Sequence, residues 1–263
     1  AQFLLFLSAV IKAVDEYHDL LRISVANAGN DHRLGANEAP PAIVSMFLGD
    51  ELTAILESIE NDTDYNQQEK RQMEIGVSVL PHFPKDSTDR NRTSPFAFTG
   101  NKFEFRMLGS SSSISDANTV LNTIVAEILS QFADRLEKAA NFKEELSALI
   151  KETIKQHKRI IFNGNNYSDE WVKEAEKRGL LNLKSTVDAL PYFISEKNVK
   201  LFTKHNVFSE SEIHSRYEVM LENYSKVIHI EALTMLDMVK RGIIPSVVSY
   251  IKDLSETHLQ RNH

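Results

Sequence analysis

The sequence predicts an α+β fold whose first half mixes helices with strands and whose second half is entirely helical. Short apolar runs and one strict alternation of polar and apolar residues occur before residue 110, whereas later apolar residues recur with the helical period. With 263 residues, of which 42% are hydrophobic, the chain can form one large or two moderate domains. We place the boundary at residue 150, with an α/β part over 1–150 and a helical extension over 151–263.

The first half begins with an amphipathic helix, because apolar residues recur near the helical period between residues 3 and 21. A polar loop is expected at 32–41 (HRLGANEAPP), where one glycine and two adjacent prolines disfavour regular structure. The other elements predicted for this half are strands at 22–28, 42–48 and near 75–80, 93–98 and 102–107, and a helix at 50–59. This half therefore supplies the sheet.

Every element predicted after residue 113 is a helix. Ser115 or Asp116 can cap the first of them, which runs to Leu136, and Asn141 resembles the cap of the next, which ends at residues 163–164. The remaining helices are predicted at 171–179, 198–204, 210–223, 225–241 and 246–260, separated by glycine and proline at Gly179, Pro191, Gly242 and Pro245. We expect the apolar residues of this region to serve packing and assembly rather than chemistry.

Composition excludes several classes of function. Because the chain has no cysteine, it can form neither a disulfide framework nor a zinc–thiolate site, and a reduced, cytoplasmic location fits best. A net charge of −7 and the lack of a basic stripe with interleaved aromatics argue against nucleic-acid binding. No apolar run is long enough to predict a membrane span. The chain starts without Met inside a helix, which suggests a fragment of a longer protein.

The segment 89–106 (DRNRTSPFAFTGNKFEFR) ends in a strict alternation. A strand at this position would place Lys102, Glu104 and Arg106 on one face and Phe103 and Phe105 on the other. Taken alone, such an alternation is more typical of a solvent-exposed face than of a binding site. The alternative is that the three charges line a cavity and bind a charged substrate.

Other charged residues in the sequence favour the cavity. Arg33 and Glu38 lie in the loop that contains Gly35, and Arg90 and Arg92 come shortly before the charged strand. Several arginines together with two carboxylates suit a substrate that carries phosphates, a carboxylate and a metal ion. This combination predicts a phosphoryl-transfer site.

Four segments, taken in order, resemble motifs of the glutamine synthetases. RLGANEAPP at 33–41 resembles their glutamate flap, and RNRTSPFAF at 90–98 resembles their Arg-Asn-Arg-Ser segment. NKFEFR at 101–106 is similar to their Arg-Ile-Glu-Phe-Arg strand, and ISDANTVLNTIVAEIL at 114–129 to the helix that follows it. The long insertion between the first two segments and the helical tail make the type III enzymes the most similar. The chain then resembles the C-terminal half of the catalytic domain followed by the C-terminal extension.

The resemblance implies an enzyme that ligates ammonia to glutamate, driven by ATP and proceeding through a γ-glutamyl phosphate, with Mg or Mn ions in the site. It implies that Arg33 and Arg106 hold glutamate and the transferred phosphoryl group. Glu38 would close over the site and help to deprotonate ammonium. The remaining implied roles are nucleotide binding by Arg92 and Lys102 and metal binding by Glu104. The full-length protein would assemble as a dodecamer of two stacked hexameric rings.

The sequence departs from the family pattern in two places. The spacing from Arg33 to Glu38 is one residue shorter than in the common flap, and Ala97 stands where the other types usually have a further phosphate-binding arginine. The family's other metal ligands match nothing in this chain, so we expect the chain alone to be inactive.

The sequence leaves two alternatives from other functional classes. The helical half could make the chain a non-catalytic interaction or assembly module derived from a ligase. A kinase that phosphorylates guanidino groups would share arginines and a mobile glutamate, but the order of the motifs and the EAPP sequence disfavour it.

Overall fold

The computed structural model describes residues 2–36, 39–63, 72–73, 83–84 and 93–261. Its helices greatly outnumber its strands, and the strands come before residue 106, which confirms the predicted α+β class with a helical C-terminal part. The chain divides into two compact units, Ala1–Tyr217 and Glu218–His263. The domain boundary at residue 150 stays a prediction.

The elements of the chain follow in sequence order. The first four helices are α1 (Gln2–Glu16), α2 (His18–Ile23), α3 (Ala28–Arg33) and α4 (Asp50–Asn61). The strands are β1 (Met46–Phe47), β2 (Gln72–Met73), β3 (Phe83–Pro84), β4 (Phe96–Phe98) and β5 (Phe103–Phe105). The later helices are α5 (Ser115–Glu137), α6 (Phe142–His157), α7 (Asp169–Lys177), α8 (Thr186–Ala189), α9 (Glu196–Lys204), α10 (Glu210–Met238) and α11 (Ile244–Arg261), with 3₁₀ turns at Lys158–Ile160 and Leu190–Ile194 and a π-helical segment at Val239–Ile243.

Helix α1 lies at the centre of the first unit and packs against α5 and α6. Ile11 and Val14 of α1 are fully buried, and so are Ile124 and Ile128 of α5. The 3.6-residue period of the sequence thus produces the core, because each helix offers one apolar face to its neighbours. The N-terminal amphipathic helix and the helix at 115–136 are confirmed.

The larger sheet has three strands in the order β1, β4, β5. Strand β1 is parallel to β4, with Met46 opposite Phe96, and β4 is antiparallel to β5, with Ala97 opposite Glu104. Strands β2 and β3 form a separate antiparallel pair. The backbone N–H of Phe162 donates to the carbonyl of Met46, which joins this sheet to the chain that follows α6.

The predicted strand at 22–28 is wrong. Residues 18–23 form α2, and α3 begins at Ala28 because the Asn27 side chain accepts from the backbone N–H of Asn30 and caps it. Ile23 and Val25 are buried as a strand pattern would require, but they are buried against other parts of the chain at a turn between two helices. Tertiary packing therefore overrides the β propensity of this short run.

Other predicted strands are shorter than expected or lie outside the described residues. Of 42–48 only Met46–Phe47 is a strand, although Ile43 and Val44 before it are buried. The strands predicted at 93–98 and 102–107 are β4 and β5, each of three residues. The strand predicted near 75–80 falls outside the described residues.

The helices predicted at 210–223 and 225–241 are one helix, α10, because no residue near 224 interrupts the helical hydrogen bonds. Gly242 and Pro245 do not end the helix either. A π-helical segment intervenes, in which the Ile244 N–H donates to the carbonyl of Val239, and Pro245 then falls in the first turn of α11, where its missing N–H is tolerated.

Among the described residues, no helix is both long enough and apolar enough to cross a membrane.

Candidate active site

Arg33 is the last residue of α3 and immediately precedes the loop that contains Gly35. Its Nε donates to the Asn30 side-chain oxygen at 2.9 Å, and its Nη2 donates to the carbonyl of Met107 at 2.5 Å. Gly35 has φ +78°, a left-handed conformation that a side chain would strain, so the chain can turn sharply here. Leu34 and Ala39 form a bridge that closes the base of the loop.

Strand β5 and its flanking residues carry the charged face. Arg106 donates to one carboxylate oxygen of Glu104 from Nε at 3.0 Å and from Nη2 at 2.8 Å, and the Lys102 amine lies 3.3 Å from the other oxygen. Residues two apart on a strand are separated by about 6.6 Å, yet these side chains are long enough to meet. Thr99 on the neighbouring turn also donates to Glu104, at 3.3 Å.

These contacts set the charge of Glu104. The hydrogen bond from Arg106 is the main cause that lowers the pKa of Glu104, and Lys102 adds to it. The carboxylate is therefore ionised at neutral pH and is about one-third exposed, as a ligand for a cation must be. Arg106 is much less exposed, at 15% of its side chain, whereas Lys102 projects into solvent.

The opposite face of the two strands is aromatic, as the alternation predicts. The rings of Phe103 and Phe105 lie 5.5 and 6.0 Å from that of Phe96, and Phe103 is 5.2 Å from Phe98. Phe98 also contacts Phe3 of α1 at 5.9 Å. These tilted ring contacts anchor the strand pair to the first helix and so hold the charged face in place.

Arg33 and the charged strand meet at Met107. This residue directly follows Arg106, and its carbonyl accepts from both Asn30 and Arg33. Two sequence-predicted residues that are 73 positions apart therefore lie on adjoining parts of the backbone. Lys102, Glu104 and Arg106 contact one another, and Arg33 contacts the backbone one residue after Arg106, whereas Glu38 and Arg92 lie outside the described residues.

Ala97 is fully buried and lies opposite Glu104 in the antiparallel register of β4 and β5. Its methyl group can supply no charge, so it cannot make the phosphate contact that an arginine was expected to make at this position. Within the parts of the chain that the structure describes, no group of three or more His, Asp or Glu residues could hold a metal ion. Glu104 is a candidate for one metal ligand only.

Known proteins similar to this chain are glutamine synthetases. Residues 145–262 match the family of the glutamine synthetase C-terminal domain. The chain is 50% identical to a glutamine synthetase of Butyrivibrio fibrisolvens over 98% of its own length and 37% of the relative's. It is 49% identical to a type-3 glutamine synthetase of Dictyostelium discoideum, over 98% and 35% respectively. This chain is similar to glutamine synthetases.

A third relative is a glutamine synthetase of Bacteroides fragilis (strain YCH46), which is 41% identical over 97% of the chain and 36% of the relative. The chain thus spans little more than a third of the length of the curated relatives it matches. The likeness to these relatives extends over nearly the whole chain, because each of the three alignments covers at least 97% of it.

Sequence reasoning missed two residues of this candidate site. Asn30 orients Arg33, and Thr99 contacts Glu104. The signal for Asn30 was its position three residues before Arg33, which places both on one face of a helix. It was overlooked because residues 22–28 were interpreted as a strand, and no helix was expected before Arg33. Thr99 had no signal in the sequence, since its contact depends on how β4 turns into β5.

Proposed function

We propose that this chain contributes the substrate-binding arginines and one metal ligand to an enzyme that joins ammonia to glutamate at the expense of ATP. The reaction would pass through a γ-glutamyl phosphate and release glutamine. One observation carries the proposal: Arg33 and the face formed by Lys102, Glu104 and Arg106 adjoin at Met107, although they come from distant parts of the sequence. The family of the chain supports the same reaction.

The arginines have the chemistry that the reaction needs. A guanidinium group presents several N–H donors in a plane and can bind a carboxylate or phosphoryl group through two hydrogen bonds. Arg33 and Arg106 would therefore hold glutamate and the phosphoryl group as it is transferred. Because phosphoryl transfer depends mainly on positioning and on stabilising charge on oxygen, two fixed cations can contribute strongly.

Glu38, Arg92 and Lys102 complete the proposed set. Glu38 would close over the bound substrates and help to remove a proton from ammonium, while Arg92 and Lys102 would contact the phosphates of ATP. Lys102 supports this role by its exposure and its flexible chain, which let the amine leave Glu104 for a phosphate.

Glu104 fits one part of a magnesium or manganese site. Its carboxylate is ionised, partly exposed and held by neighbouring side chains, which suits a hard cation. One carboxylate with water holds such an ion weakly, so we propose that further oxygen ligands complete the site. The bound ions would neutralise phosphate charge, while Arg33 and Arg106 orient the substrates.

The partners and location proposed for the whole protein are glutamate, ammonia and ATP, a homododecamer of two hexameric rings, and the cytoplasm. The lack of cysteine supports the reducing compartment. Exposed apolar side chains on α10 and α11 support assembly with other chains.

The proposed function is tested by a coupled assay on the full-length protein with ATP, glutamate, ammonium and Mg or Mn. Glu104→Gln keeps the shape but removes the charge, and we expect a loss of activity of at least about 100-fold, as for loss of a metal ligand. The matched control is Glu196→Gln, because Glu196 is an exposed glutamate paired with a lysine on α9. Near-normal turnover of Glu104→Gln at saturating metal would refute the assignment.

A second candidate function is a non-catalytic assembly module. It is favoured by the second unit, Glu218–His263, in which none of the described residues is buried. Metal-dependent binding of ATP by the full-length protein, abolished by Glu104→Gln, would exclude this alternative. Assembly without any nucleotide binding would favour it.

A further inference from the structure

Asn30 lies in the middle of α3 and is 1% exposed. Its side-chain amide is used at both ends. The nitrogen donates to the carbonyl of Val25 at 2.7 Å and to that of Met107 at 2.9 Å, while the oxygen accepts from Arg33 Nε at 2.9 Å. A buried polar group with every partner in place holds its surroundings firmly.

An amide is suited to this position by its chemistry. It combines two N–H donors with an acceptor oxygen, whereas a carboxylate accepts only and an aliphatic side chain does neither. Without Asn30, two buried carbonyls would lose a donor and the Arg33 Nε would lose its acceptor. This position therefore requires both the NH2 group and the oxygen of the amide.

The Met107 carbonyl is shared between Asn30 and Arg33. Arg33 is thus held at Nε by Asn30 and at Nη2 by the same backbone group that Asn30 binds. Met107 follows Arg106, so this arrangement fixes the guanidinium of Arg33 relative to the end of the charged strand. Arg106 is fixed in turn, because its backbone N–H donates to Pro95 at 2.7 Å and its guanidinium pairs with Glu104.

We propose that Asn30 is a positioning residue that sets the orientation of Arg33 relative to Arg106, and so the spacing of the two cations that hold glutamate and the phosphoryl group. The inference rests on the proposed function, which makes these arginines substrate-binding. Asn30 touches neither substrate and acts through Arg33. A displacement of a bound group by about 1 Å can cost about 100-fold in rate, so its orientation has a large effect.

The test is a double-mutant cycle in the full-length protein, with the wild type, Asn30→Ala, Arg33→Lys and the double variant. The readouts are kcat and KM for glutamate at saturating ATP, ammonium and Mg. We expect Asn30→Ala to lower kcat/KM by at least about tenfold in the wild-type background. In the Arg33→Lys background the same change is expected to lower it by less than about threefold, because lysine has no Nε to donate to Asn30.

Asn198→Ala is the matched control. Asn198 is also fully buried, and its Nδ2 also donates twice, to Asp19 at 2.9 Å and to the carbonyl of Tyr192 at 2.7 Å. Its contacts include none of the candidate site residues. It should therefore lower the midpoint of urea unfolding while leaving kcat/KM of the folded protein within about twofold of wild type.

If Asn30→Ala does not fold, the cycle is read from Asn30→Ser, whose short hydroxyl can still donate to one buried carbonyl but no longer offers the amide oxygen to Arg33. Its loss of kcat/KM should again be several-fold larger with Arg33 than with lysine. An equal loss in both backgrounds, or no loss in a folded variant, overturns the proposal and leaves Asn30 with a structural role.

Urea unfolding of the same four proteins separates this inference from the proposed function. If the wild type makes no glutamine, the proposed function fails, but the contact is still tested. A shift of the midpoint by Asn30→Ala that is smaller in the Arg33→Lys background supports the contact, and equal shifts overturn it.

Discussion

Glu127 offers a test of how the first unit is held together. It lies on α5, is 7% exposed, and joins this helix to the end of α9. Its carboxylate accepts from Lys204 at 2.8 and 2.9 Å and from Gln131 at 2.9 Å, and the Nε2 of His205 lies at 2.7 Å. We predict that Glu127→Gln lowers the free energy of unfolding at neutral pH. The difference from wild type should decrease as the pH falls.

The magnitude follows from the balance of two effects. Burial alone would raise the pKa of Glu127, but the hydrogen bonds from Lys204, Gln131 and His205 outweigh it and lower the pKa to about 2. A downward shift of more than two units from the ordinary value corresponds to about 3 kcal/mol at about 1.4 kcal/mol per unit. Lys204 is half exposed, and solvent screens its charge, so we expect about 2 kcal/mol.

The sign of the pH dependence follows from the lowered pKa. The folded protein binds the proton less readily than the unfolded chain, so the stabilisation is fully present above the unfolded pKa of 4.5 and is lost as the pH falls towards about 2. The gap in unfolding free energy between wild type and Glu127→Gln should therefore be larger at pH 7.5 than in acid. By pH 3.5 it should have narrowed by about half.

The assay is urea unfolding of both proteins at pH 7.5, 6, 4.5 and 3.5, analysed as the difference between them so that most other titrating groups cancel. Glu222→Gln serves as the control, because Glu222 is exposed and pairs with Lys226 one helical turn away. It should leave unfolding unchanged at every pH. A gap between wild type and Glu127→Gln that stays constant down to pH 3.5, or that is absent at pH 7.5, would refute the reasoning.

Three further predictions concern the proposed enzyme. Arg106→Lys should raise KM for glutamate or lower kcat at least about tenfold despite the retained charge, because an ammonium cannot reproduce the bidentate contact of a guanidinium. Unchanged steady-state kinetics would count against a substrate role. Deleting 218–263 from the full-length protein should change solubility or oligomer size, measured by light scattering, before it changes substrate affinity; specific loss of ATP binding with intact assembly would contradict this. The 263-residue chain alone should make no glutamine in the coupled assay, since one carboxylate binds metal weakly, and turnover within about tenfold of the full-length protein would overturn the site described here.

Local sequence determined the helices that form the core. The period of apolar residues predicted α1 and α5. The predicted Asn141 cap is also present, because its side chain accepts from the backbone N–H groups of Lys143 and Glu144 at the start of α6. The alternation around Glu104 likewise predicted a strand with a charged and an aromatic face. These features could be predicted because they depend on residues a few positions apart, whose side chains share a face of one helix or strand.

The sequence also predicted the likeness to glutamine synthetases, because the motifs around Arg33 and Glu104 occur in a specific order. It did not determine how those motifs meet. The contact between Arg33 and the carbonyl of Met107 joins residues 74 positions apart, and no local pattern encodes which backbone group accepts. It exists because residues 22–28, expected as a strand, form the end of α2 and a turn that leads into α3.

Only the tertiary structure decided that residues 22–28 form a turn between two helices and not a strand. Ile23 and Val25 suit a strand as well as they suit a buried turn, and the buried amide of Asn30 favours the turn by binding the carbonyls of Val25 and Met107 together. At the end of the chain Gly242 and Pro245 predicted a break, but Gly242 lies in a π-helical segment and Pro245 in the first turn of α11, so no break occurs. Local propensities differ by about 1 kcal/mol or less for most residues, so a few buried hydrogen bonds formed across the fold are enough to reverse them.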